Sequence, residues 1–155
     1  MSTDLSAHNP LDLTGRTILI SGASRGIGSC TAIYLSRLGA RIIAVARDRQ
    51  KLDETVSGLE GSGHLAIPFD LCEIDQIQAW MKSLVQETGP LYGLVHSAGV
   101  VLNRPLKVLT SANMASMQRL NVDAAIMLTK AFRQKGVSQP DCGTPASCAI
   151  PKTIM

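Results

Sequence analysis

Three glycines within seven residues carry the most specific chemistry in this sequence of 155 residues. They stand in the run Thr17-Ile18-Leu19-Ile20-Ser21-Gly22-Ala23-Ser24-Arg25-Gly26-Ile27-Gly28. β-favouring residues lead straight into the turn, and apolar residues compatible with a helix (Ile27, Cys30, Ala32, Ile33, Leu35) follow it. In that strand–turn–helix setting each glycine has its own task. Gly22 lets the chain turn as it leaves the strand, where a Cβ would obstruct the backbone. Gly26 and Gly28 permit phosphate to approach the backbone and the helix to approach the sheet. The helix N-terminus then offers unpaired N–H groups and a partial positive charge. The spacing G-x-x-x-G-x-G, with Ala-Ser-Arg inside it, argues against an ordinary strand–helix connection. The chemistry it points to is the cradling of a dinucleotide pyrophosphate.

Two arginines extend that reading. In the Rossmann pattern an acidic residue about 20 positions past the motif bonds the ribose 2′-hydroxyl and favours NAD. Ala46 stands there, followed by Arg47. Arg47, with Arg25 inside the turn, suits a bidentate grip on a 2′-phosphate. NADP(H) is therefore the expected cofactor and NAD(H) the alternative. A solvated loop arginine is the competing reading of Arg47, and Asp48 reads as a helix cap.

The segment from Ser21 to Gly28 resembles the short-chain dehydrogenase/reductase family, whose first turn reads T-G-x-x-x-G-x-G, with Ser21 here for the leading Thr. The resemblance spans about residues 11 to 138 and is similar to 3-oxoacyl-ACP-reductase-like members. It implies that Ser21, Gly22, Ser24, Arg25, Gly26, Ile27 and Gly28 form the first cofactor-binding turn. It also implies that Asp70 contacts the adenine edge with Leu71 packed nearby. A carboxylate simply ending a strand in a turn fits Asp70 as well. His96-Ser97-Ala98-Gly99 stands where the family has N-N-A-G, so Ser97, Ala98 and Gly99 are expected beside the cofactor. His96, at a strand end, fits a packed or hydrogen-bonded histidine better than a catalytic base. Asn121, in Leu120-Asn121-Val122, resembles the family's helix asparagine, which anchors a proton-relay water through a distorted helix turn. An asparagine facing solvent is its alternative. Relatives of this kind interconvert a small carbonyl and a secondary alcohol, and they assemble as homo-oligomers.

The rest of the family's chemistry has no counterpart in the sequence. Hydride transfer there needs a Ser that polarises the carbonyl and a Tyr that donates the proton. A Lys four residues after that Tyr lowers its pKa. The two tyrosines, Tyr34 and Tyr92, are followed four positions on by Leu38 and His96, so no Y-x-x-x-K exists. Ser147 falls roughly where the catalytic Ser would be, without strand context. The chain is therefore expected to be a truncated and inactive form, with a nucleotide-binding or regulatory module as the alternative. Residues 139–155 read as an irregular tail, an altered or out-of-frame ending on a family sequence.

The elements that must position these groups alternate regularly. Strands are expected at about 17–21, 42–46, 64–69 and 92–96. Helices are expected at about 27–38, 48–59, 73–87 and 112–135. That alternation predicts an α/β fold, a Rossmann-like doubly wound parallel sheet within residues 1–138. By resemblance the sheet has about four strands in the order 3-2-1-4. With no fifth strand expected, 91–95 would form a bare apolar edge.

Composition bounds the alternatives. A net charge of +3 without a basic cluster gives no nucleic-acid footprint. No apolar run reaches the roughly 18 residues of a membrane span, and the first ten residues lack a secretory pattern. The four cysteines form no C-x-x-C pair, so neither a metal site nor a disulfide framework is expected, and a cytoplasmic setting fits.

Overall fold

Strands β1 (Thr17–Ser21) and β2 (Arg41–Ala46) carry apolar residues on both faces, which suits the centre of a sheet covered on both sides. A computed structural model, which describes residues 11–140 and 148–149, places them there: every residue of β1 is buried. β2 also pairs in parallel with β3 (Leu65–Pro68), and β1 with β4 (Gly93–His96). The order β3-β2-β1-β4 is the one expected from the sequence. Alternate strand residues divide between two cores. Ile18, Ile20, Ile42 and Ala44 face one way and pack with Ala32 of α1 (Gly26–Arg37) and Leu52 of α2 (Arg49–Ser57). Leu19, Ile43, Val45 and Leu94 face the other way. They pack with Ile77 and Met81 of α3 (Ile77–Thr88) and with Leu128 and Phe132 of α5 (Ala124–Phe132).

Local chemistry sets the helix ends. Gly39, at φ 90°, takes the left-handed position just past α1. Asp48 accepts a hydrogen bond from the Lys51 N–H at 3.1 Å and so caps α2. Thr110 caps α4 (Ser111–Gln118) in a reciprocal box with Asn113.

The helix expected over 112–135 carries the distorted turn that the resemblance implied at Asn121: a π-helical turn at Arg119–Asp123 joins α4 to α5. Within that turn, the side chain of Asn121 bonds a neighbouring backbone. One expectation is corrected: the edge of β4 is not bare. A two-residue strand, β5 (Cys148–Ala149), pairs in parallel with Leu94 and Val95, and a single bridge joins Leu91 to Ser138. Open backbone groups on a sheet edge accept whatever extended chain reaches them, without an apolar pattern in that chain.

Candidate nucleotide-binding cleft

A cleft of about 470 Å³ opens at the carboxyl ends of the strands, lined by the turn after β1 and the segments that follow β2, β3 and β4. In this strand order β1 and β4 flank the point where the crossovers change sides, the place where open α/β sheets take ligands. The three glycines do different things there. A Cβ on Gly22 would lie 2.5 Å from the Ala98 nitrogen, so its absence lets the β1 turn press against the β4 exit. A Cβ on Gly28 would lie 2.2 Å from the Gly22 carbonyl oxygen, so α1 can start only without one. Gly26, at φ +57°, has no atom within 4 Å of its missing side chain and faces open cleft.

The donor set suits a phosphate. No side chain caps the N-terminus of α1, and its first turn holds no acidic residue. Its leading N–H groups are therefore available to an anion, next to the space that Gly26 leaves. Arg25 and Arg47 are exposed at the mouth, and neither forms an ion pair with a described residue.

Most of the residues expected from the sequence are brought together. Gly22, Ser24, Arg25, Gly26, Ile27, Arg47, Asp70, Leu71, Ser97, Ala98 and Gly99 all line the cleft. Asp70 also accepts the Cys72 N–H at 2.9 Å, as a carboxylate ending a strand in a turn does. Desolvation, with Asp70 beside it, raises the Cys72 thiol pKa.

Ser21, Gly28 and Asn121 support the wall from behind instead of lining it. Asn121 accepts the Val100 N–H and donates to the Val100 carbonyl, both at 2.9 Å. Asn121, in the π turn, thus holds the backbone of Val100. Ser147 lies outside the described residues. Lys51, Phe69 and Val100 line the cleft without having been singled out in the sequence. Lys51 could have been found: it lies one helical turn after Asp48 and pairs with it at 3.3 Å. Phe69 stacks on Trp80 with centroids 4.2 Å apart.

His96 is buried beneath the cleft, with Nδ1 2.7 Å from Ser21 Oγ. Burial lowers its pKa, so the ring is neutral at neutral pH.

Among known proteins, the short chain dehydrogenase family profile matches residues 16–140. Over 120 residues the chain is 32% identical to the ketoacyl reductase HetN from a Nostoc species, covering 76% of this chain and 42% of the reductase. It is 31% identical over 129 residues to a gluconate 5-dehydrogenase from Gluconobacter oxydans, covering 82% of this chain and 50% of that enzyme. A solved dehydrogenase/reductase from Sinorhizobium meliloti superposes with a TM-score of 0.73 at 28% identity, covering 79% of this chain and 50% of that one. The chain thus spans about half the length of the curated relatives it matches. Among the described residues, no helix is long and apolar enough to cross a membrane.

Proposed function

The chain belongs to the short-chain dehydrogenase family of oxidoreductases, and from that premise we propose that it supplies the NADP(H)-binding half of an enzyme interconverting a carbonyl and a secondary alcohol. The observation that carries this reading is the pair Arg25 and Arg47, without an ion-pair partner among the described residues, at the mouth of a cleft whose floor is the uncapped start of α1. Pyrophosphate would sit on the N–H groups behind Gly26, and the adenosine 2′-phosphate between the two guanidinium groups. Asp70 and Leu71 would border the adenine, and Ser97 to Gly99 the opposite wall. When bound, the nicotinamide accepts or delivers the hydride. Asn121 would act through its grip on Val100, which holds the substrate-side wall of the cleft.

The 155 residues contain no Tyr-x-x-x-Lys, so nothing in the recognised pattern would protonate a developing alkoxide. General acid catalysis typically contributes about 10²–10⁴-fold. The chain by itself is therefore expected to bind nucleotide while reducing ketones and aldehydes near the background rate. That absence also favours a second reading, a nucleotide-holding module without catalysis.

Thermal unfolding with each nucleotide tests the cofactor. Ligand at 100 times Kd adds about 2.7 kcal/mol to stability. NADPH should raise the melting temperature more than NADH at equal concentration, and Arg47→Asp should narrow or reverse the gap. Equal shifts in the unaltered chain would refute the assignment.

A further inference from the structure

Ser21 and His96 face each other across the β1–β4 pairing, in register, directly under the cleft. They are almost wholly buried, at 0% and 3% exposure. Ser21 Oγ has two lone pairs, and two backbone N–H groups point at it, Ser97 at 3.2 Å and Ala98 at 3.4 Å. The Ser97 N–H is shared with the Ser21 carbonyl at 3.1 Å. With both lone pairs engaged, the hydroxyl proton has an acceptor at His96 Nδ1, 2.7 Å away. In that arrangement the imidazole would be the Nε2–H tautomer. Nε2 is buried and has no hydrogen-bond partner among the described residues. A buried polar atom left unpaired is unfavourable, so packing alone does not account for an imidazole at this position. What the ring supplies is an acceptor at Nδ1.

The segment held in this way is the one that Gly22 must approach. The Ala98 nitrogen lies 2.5 Å from where a Gly22 Cβ would be, so a small movement of residues 97–99 changes the width of the cleft. We propose that His96 is a positioning residue for the nucleotide: by accepting the Ser21 hydroxyl proton, it turns the Ser21 lone pairs onto the 97–98 backbone and fixes the wall opposite the glycine turn. This rests on the cleft being a nucleotide site. His96 touches neither nucleotide nor substrate and acts through Ser21.

The test combines a spectroscopic signature with rescue. Long-range ¹H–¹⁵N correlation spectra of the unaltered chain should show His96 with Nδ1 unprotonated and Nε2 protonated. His96→Asn keeps an acceptor oxygen near Nδ1, whereas His96→Leu keeps the bulk and removes the acceptor. In NADPH fluorescence titrations, His96→Asn should bind within about threefold of the parent and His96→Leu about tenfold more weakly. An Nδ1–H tautomer overturns the proposal. So does His96→Leu binding like the parent, or His96→Asn binding as weakly as His96→Leu. Should His96→Leu fail to fold, the tautomer and the His96→Asn titration decide. An unaltered chain that binds no NADPH overturns the nucleotide reading and this proposal with it. Binding by the parent with an unchanged His96→Leu overturns this proposal alone.

Discussion

Replacing Gly22 with Ala tests how the cleft is built, because two costs fall on the same atom. The residue sits at φ +70°, and its Cβ would lie 2.5 Å from the Ala98 nitrogen and 2.7 Å from both Ala98 Cα and the Ser97 carbonyl carbon. All three are backbone atoms of the β4 exit, so no rotamer change relieves the contact. The left-handed conformation costs a non-glycine residue about 1–2 kcal/mol. Overpacking costs about 1–3 kcal/mol. Together these come to about 2–5 kcal/mol, a large part of the roughly 5–15 kcal/mol that holds a domain folded. Gly26→Ala is the matched control, at φ +57° with nothing within 4 Å of the added atom. It should lose only the conformational part, about 1–2 kcal/mol, yet place its methyl where the phosphate would bind. Urea denaturation of the two variants, followed by NADPH titration of whichever remains folded, separates the effects. Gly22→Ala should lower the unfolding midpoint much further, while Gly26→Ala should abolish binding at small stability cost. Equal destabilisation by both, or a Gly22→Ala cost under about 1 kcal/mol, would refute the close-approach reasoning.

Further outcomes follow from the supports behind the cleft. Asn121→Leu leaves the Val100 N–H and carbonyl without their partner, which should cost about 1–3 kcal/mol and speed amide exchange at Val100. A Val100 amide as protected as in the parent would contradict the bracing role. Burial lowers the folded pKa of His96 below its ordinary value of 6.5, so between those two values the unfolded chain holds more protons. Its contribution to stability should be complete above about pH 6.5 and fall away as the pH drops through the folded value. Urea midpoints measured between pH 7.5 and 5 check this, and His96→Asn should flatten the profile relative to the parent.

The sheet and the glycine turn were legible because their signals are local. Thr17 to Gly28 gives a strand, a turn and a helix in twelve residues, with each glycine required where it stands. Asp48 was readable as a cap because capping is short-range chemistry. What could not be read depends on partners distant in sequence. The distorted turn at Asn121 came from the resemblance alone, and its bond to Val100, 21 positions away, is not encoded by helical periodicity. The pairing of Ser21 with His96 spans 75 positions and is set by strand register. The short β5 strand has no pattern of its own, since edge pairing needs only backbone.

The central claim is that the cleft over the glycine turn holds a dinucleotide phosphate. A ¹H–¹⁵N correlation titration of the chain with NADP⁺ tests it residue by residue. The expected shifts are saturable and concentrated at the amides of Ser24 to Gly28, at Arg47 and at Ser97 to Val100. The groove at the opposite end of the sheet, lined by Arg37, Arg41, Glu60 and His64, should stay silent. Shifts confined to that opposite groove, or none at all at millimolar nucleotide, would contradict the account.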